Sequence, residues 1–339
     1  YPLIGDYWPV DQRAAKFSVF NACAGVGSLL GLVMAGPIVD NFGWRWAFLA
    51  WVPVGVVGTL LMRTRREPER GARDAEFHDE LEALAADHIE EVAAIVAADL
   101  EVAAEPIAAV DLALATRWQV FRHIFRLRSW RTAAFAIGVS QIMQTAITFW
   151  GTPYFKRTFG LSGSEVSLLA PAIGVGSFVG VIGGGFFADR LLLRGVLRAR
   201  VWVSGLAYLG AAGSLAAAFS SRSLWVAAPL LALGSTFGAI PIGPQYALLL
   251  DVTPTPLRSQ ATAVADILGF VSALGYVIVG GLSSLFDNNL RLALLCASPI
   301  YAIGGILLLT ARRTYVSDVA LVVAEAKQLR DAAAESDYD

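Results

Sequence analysis

The chain reads as an all-α integral membrane protein built of two helical bundles, and three observations carry that expectation. Hydrophobic residues make up 56% of the 339 positions and charged residues only 16%, where a soluble domain carries roughly a quarter. The apolar residues gather into eight runs, at about 17–39, 46–62, 132–154, 166–188, 201–219, 224–250, 261–286 and 292–310. Each is close to the roughly 20 helical residues that cross a hydrocarbon layer about 30 Å thick. Finally, a short polar hinge occurs twice. DYWPVDQR (6–13) and DVTPTPLR (251–258) both read D-x-x-P-x-x-x-R, and both lead into a long apolar run.

Taken in order, residues 1–62 hold the first hinge and two spans, the end of an N-terminal bundle. Residues 63–131 form a connecting loop of a different kind. Its segment 67–111 carries fourteen of the 28 acids in an Ala-rich background. Leu81, Leu84, His88, Val92 and Ile95 there follow helical spacing, so a soluble amphipathic helix is expected. WQVFRHIFRLRSW then mixes aromatics with Arg, as a helix lying in the membrane interface does. Residues 132–312 supply six spans, a complete C-terminal bundle, and 313–339 form a tail.

Basic residues fix the orientation. Fifteen Lys and Arg flank the spans on the side of the first hinge, the long loop and the tail, and five flank them on the other side. Lys and Arg accumulate in cytoplasmic loops, so the loop and the C-terminus are expected in the cytoplasm, with the chain in a bacterial inner membrane.

The two hinges also set a register. Asn21 falls opposite Asp266, and Ala35-Gly36 opposite Gly280-Gly281. Two bundles with matching elements in the same order are typical of secondary transporters, with the site where the bundles meet. Four spans precede the second hinge within its half and none precedes the first, so the symmetry predicts four further spans ahead of Tyr1 and a twelve-span protein, monomeric when complete.

Several motifs carry a resemblance. GGGFFADRLLLRG offers Gly185, Ala188, Asp189, Arg190 and Arg194, and GSLLGLVMAGP offers Gly27, Gly31, Ala35, Gly36 and Pro37. These resemble the G-x-x-[AS]-D-R loop and the small-residue fifth helix of the major facilitator superfamily. GWRWAFL, REPERG, FWGTPYF and NNLRLALL are similar to its spinster-like members at matching places. The resemblance implies a two-bundle fold, alternating access, proton coupling and lysolipid- or sphingolipid-like amphiphiles as solutes. It also implies that Asp189 faces a helix N-terminus of the opposite bundle and latches the cytoplasmic side, with Arg190, Arg194, Arg13 and Arg258 in the matching loops. The acids and bases that usually carry coupling lie in the first and fourth helices, ahead of Tyr1 in this register.

Candidate transport residues follow from polar groups on apolar helices. Gln141, Gln144, Thr145, Thr148 and Thr152 make one stripe along 132–154, with Gln144 near the midplane. Lipid does not accept such a face, so it lines a solute path or binds helices together. Trp150 and Tyr154 stand toward the outer end as belt aromatics or a gate, and Gln245 and Tyr246 follow the breaks expected at Pro241 and Pro244. Asp266 is the one carboxylate well inside a run and the candidate proton site. Gly27, Gly31, Gly176, Gly180 and Gly184 recur at four-residue spacing and are expected at helix contacts.

Other classes find little support. A net charge of −2 does not point to nucleic acid, and Cys23, Cys296 and the three histidines form no metal-ligand or catalytic pattern. No catalytic residue, metal or cofactor is expected. Drug, sugar-phosphate and organic-anion transport stay open as alternatives, as does a non-transporting membrane scaffold or receptor using 67–111 as its partner site.

Overall fold

The computed structural model describes residues 2–65, 68, 73, 117–319 and 322. The acidic run 67–111, with its expected helix, lies outside them apart from Pro68 and Arg73, as does nearly all of the tail beyond 319.

After a short helix, Pro2–Tyr7, nine helices follow: α1 (Arg13–Phe42), α2 (Trp44–Arg63), α3 (Arg117–Arg126), α4 (Arg128–Phe159), α5 (Gly163–Leu192), α6 (Ala199–Ser220), α7 (Leu224–Asp251), α8 (Thr255–Leu285) and α9 (Leu290–Arg313). Seven of them, α2 and α4 through α9, are long and apolar enough to cross a membrane. The 30 residues of α1, at 1.5 Å each, reach about 45 Å. Seven of the eight apolar runs thus fall on helices able to cross a membrane, the remaining run, 17–39, lies within α1, and the chain is a multi-pass integral membrane protein.

Local chemistry sets the ends. Ser162 caps α5 in a reciprocal box: the Glu165 N–H donates to Ser162 Oγ at 3.3 Å, and the Ser162 N–H donates to Glu165 Oε2 at 2.8 Å. The Ser162 N–H, with the Ser162 hydroxyl that also donates to Oε2 at 2.7 Å, holds the Glu165 carboxyl below its ordinary pKa. α4 stops at Gly160, whose φ of 69° is the left-handed conformation glycine adopts freely. α7 is two helices, ending at Ala239 and restarting at Ile242, the break that Pro241 and Pro244 predict. α8 tightens into a 3₁₀ turn over Phe270–Ala273.

The six helices α4–α9 form one unit. α6 packs on α7 and α9, α4 on α9, and α5 on α7, around a core that includes Trp130, Met143, Tyr208, Leu215, Leu248 and Tyr301. The outer surface is apolar, with Trp225, Phe270, Val277 and Leu285 fully exposed, as suits a molecule whose solvent is lipid. The α5–α7 contact rests on small residues: a Cβ on Gly180 or Gly184 would overlap the carbonyl oxygens of Thr236 or Ile240, and one on Gly176 would crowd Thr236 Oγ1.

At Gly27 and Gly31 a Cβ would meet nothing within 4 Å among the described residues. Among the described residues, the buried side chains of α1 that meet the six-helix unit lie in its first three turns. Ala14, Phe17 and Ala22 are buried against α5 and α7, and every residue from Cys23 to Ser28 is exposed. α2 is almost wholly exposed, with none of its span buried.

Candidate functional site

The two hinges fold alike. In each, a helix holding the Asp leads to a proline in extended conformation, Pro9 at φ −64°, ψ 160° and Pro254 at φ −50°, ψ 138°. One 3₁₀ turn follows, and the Arg then opens the next helix, α1 at Arg13 and α8 within its first turn at Arg258. Proline fixes φ and cannot donate into a continuing helix, so the same corner is built twice.

The corners face each other and exchange partners. Arg13 Nη1 of the first hinge pairs with Asp251 Oδ1 of the second at 3.4 Å. Arg258 Nη1 of the second lies 3.7 Å from Asp6 Oδ1 of the first. Each Asp meets the Arg of the other copy. Arg13 is further fixed by donating from Nη2 to the Gly5 carbonyl at 2.7 Å and from Nε to the Trp8 carbonyl at 3.2 Å.

Asp189, near the end of α5, joins this pair of pairs. Its Oδ2 accepts from the backbone N–H of Ala15 at 2.7 Å. Ala15 lies in the first turn of α1, where backbone N–H groups have no helical partner and the helix dipole favours an anion. Asp189 Oδ1 is 3.3 Å from Arg200 Nη2. Arg200, at the start of α6, also contacts Asp251 Oδ2 and donates to the Val10 carbonyl. Tyr315 closes the assembly, its hydroxyl donating to Asp251 Oδ2 at 2.8 Å. Three acids and three bases are all buried: Asp6, Asp189, Asp251, Arg13, Arg200 and Arg258. Buried charges in a dry site are tolerated only when paired and hydrogen-bonded, and here each has an opposite charge beside it.

Of the loop residues named from sequence, Asp189, Arg13 and Arg258 come together in this cluster. Arg190 and Arg194 do not: both are exposed at the end of α5. Arg200 occupies the place expected of them. A helix N-terminus is ordinarily a poor site for a cation, and that oddity is the signal that could have singled Arg200 out. Tyr315 had no comparable signal.

The polar stripe on α4 lies further along the bundle. Gln144 Oε1 accepts from the Tyr301 hydroxyl of α9 at 2.5 Å. The Tyr301 ring stacks on Tyr208 of α6 at 5.5 Å, and the Tyr208 hydroxyl donates to Gln245 Oε1 of α7 at 2.6 Å. Four helices are thereby joined by one Gln–Tyr–Tyr–Gln chain. Gln141 and Thr145 are half-buried, Thr148 and Thr152 exposed. Trp150 donates to the Tyr276 carbonyl at 3.3 Å. Tyr154 is buried among Phe155, Phe159 and Phe219, so it is core packing rather than belt or gate. Tyr246 stacks on Phe17 of α1 at 6.0 Å, across the boundary between the two parts. Asp266 is exposed on α8, and its repeat partner Asn21 is half-buried, bonding the Phe17 carbonyl of its own helix at 2.9 Å. No group of three or more His, Cys, Asp or Glu able to hold a metal occurs among the described residues.

An α-helical membrane unit of six spans, clasped at one end by the charged corner of a preceding pair, defines a two-bundle multi-pass membrane protein. The chain belongs to the Major Facilitator Superfamily, which it matches over residues 1–276. It is 24% identical over 308 residues to the putative glycerol-3-phosphate transporter 5 of Arabidopsis thaliana, covering 85% of this chain and 59% of that protein. It is 28% identical over 278 residues to the probable sphingolipid transporter spinster homolog 3 of the same plant, covering 78% and 51%. The chain therefore spans little more than half the length of these relatives. Among solved structures it is similar to a bacterial homologue of the human lysosomal transporter Spinster in an inward-facing, unoccupied conformation, at 18% identity and a TM-score of 0.38, covering 96% of this chain and 72% of that one.

Proposed function

We propose that the chain is part of a secondary transporter working by alternating access, in which the reciprocal ion pairs hold the Arg-rich, cytoplasmic end of the bundles shut. The observation that carries this reading is the exchange of Arg between the hinges, Arg13 to Asp251 and Arg258 to Asp6. A contact that joins two bundles through a few buried charges has two discrete states, made and broken, as a rocking carrier requires.

The solute is proposed to be a small or amphipathic organic molecule recognised by neutral hydrogen-bonding groups. Among the described residues every Arg and Lys of the membrane helices lies within four residues of a helix end. The mid-membrane polar groups are amides, hydroxyls and phenols. That favours the amphiphile suggested by the spinster-like relative over the anion suggested by the glycerol-3-phosphate relative. Gln144 spends its carbonyl on Tyr301, which leaves its amide N–H groups to offer a solute.

Two measurements on the complete protein in vesicles test this. Gln144→Ala is expected to weaken the apparent affinity for a transported lysolipid-like solute about tenfold, the loss of one hydrogen bond worth ~1 kcal/mol or slightly more. An unaltered affinity would reduce the Gln144 stripe to bundle packing. Coupling to protons is proposed to involve Asp266, the carboxylate set well inside the apolar run 261–286. Uptake by Asp266→Asn should then lose its dependence on pH, and a wild-type profile would clear this residue of the role.

A further inference from the structure

We infer that the face of α3 is a docking surface for anionic phospholipid of the adjoining membrane leaflet. α3 packs on α4 and on the start of α8, burying Ile124 and half-burying Val120 and Phe121. Its opposite side is basic and aromatic. Arg122 and Arg126 of α3 are exposed, as are Arg128 and Arg131 in the adjoining first turn of α4, and Trp118 is 69% exposed. From Leu112 to Ser164 the sequence contains no acid; the carboxylate of Asp318 reaches the start of α4, where it accepts from the Ser129 N–H at 2.9 Å.

The aromatics form a continuous ladder beneath them. Trp118 stacks on Phe121 at 5.4 Å and Phe121 lies 4.5 Å from Phe125. Phe125 then meets Trp130 at 5.7 Å and Phe135 at 6.2 Å. Phe135 is itself half-exposed on α4, so the ladder runs from the interfacial helix onto the side of a membrane span. An indole at the edge of an apolar surface favours the depth of lipid headgroups. Guanidinium groups at that depth meet phosphates, with the fork geometry that grips them. A neutral leaflet would satisfy the aromatics but not the Arg residues. Charge complementarity therefore selects an anionic lipid, each basic residue near such a surface contributing about a fivefold preference, the equivalent of ~1 kcal/mol.

The inference concerns lipid association and does not depend on what is transported. It is tested with the full chain carrying Gln119→Cys in a Cys23→Ser, Cys296→Ser background, labelled with bimane and reconstituted in phosphatidylcholine vesicles. Brominated phosphatidylglycerol is expected to quench the label with at least a fivefold higher association constant than brominated phosphatidylcholine. The preference should collapse in 1 M salt, where the screening length is about 3 Å, and in R122Q/R126Q/R128Q, whose changes are confined to exposed side chains. Equal quenching by the two lipids would overturn the inference, as would a preference that survives the triple substitution. It would also fail if neither lipid quenched the label until the acids of 67–111 were replaced by amides. The acidic run, not the leaflet, would then be the occupant.

Discussion

Asp251→Asn should open the charged end of the bundles. Asp251 is the most connected member of the lock, meeting Arg13, Arg200 and the Tyr315 hydroxyl. The amide keeps the size of the side chain but not its charge, so two buried guanidinium groups lose a counter-ion together. Removing one partner of a buried pair costs about 3–5 kcal/mol, a shift of roughly two to nearly four orders of magnitude in the closed-to-open ratio. Ser18, which is fully buried beside α5 and α7, provides the readout. A Cys at that position in the background free of Cys23 and Cys296 should resist a bulky maleimide in the parent and react in the variant. Arg13→Gln added to Asp251→Asn should recover part of the protection, because one orphaned cation is gone. A site that stays protected in the single variant would show that the ion pairs are ornamental to closure.

Gly243→Leu should produce the same opening without touching a charge. A Cβ on Gly243 would overlap Ser18 Oγ and the Ala14 carbonyl, and one on Gly185 would strike the same two groups from α5. α1 is therefore seated between two glycines at one point, and no side chain fits there while the lock is made. Leucine can be accommodated only by moving α1 away. Because Ser18 itself is displaced, the label for this test belongs at Val10, another buried residue of the first hinge. The two variants should part company in salt: opening by Asp251→Asn has an electrostatic origin, whereas opening by Gly243→Leu should be the same from 0.05 to 1 M. A Gly243→Leu protein that labels like its parent would mean the bundles close by some other contact.

The spans were legible because bilayer thickness dictates run length, and a charge-poor run of twenty or more residues has no other use. The hinge repeat was legible as well, since Asp, Pro and Arg at fixed offsets survive inspection by eye. Which Asp meets which Arg was not legible: the spacing shows the repeat, and only the fold shows that the partners are exchanged. Arg200 was hidden for a related reason, counted as one more orienting charge when its helix start lies against Asp189. The glycine stripes show the limit of periodicity. Gly180 and Gly184 meet backbone on α7, while Gly27 and Gly31 meet none among the described residues, although the spacing is the same. Tyr154 illustrates a similar limit, because an aromatic near a span end looks alike in sequence whether it faces headgroups or Phe219.

The exchange of partners has an electrical consequence. The first corner brings one carboxylate and one guanidinium to the lock, Asp6 and Arg13, while the opposing side brings two of each, Asp189 and Asp251 with Arg200 and Arg258. Each side is neutral on its own. When the corners separate, no net charge travels across the membrane field, which would otherwise exert about 2.3 kcal/mol per elementary charge per 100 mV. For these six charges, a membrane potential therefore has no handle on the contact between the corners.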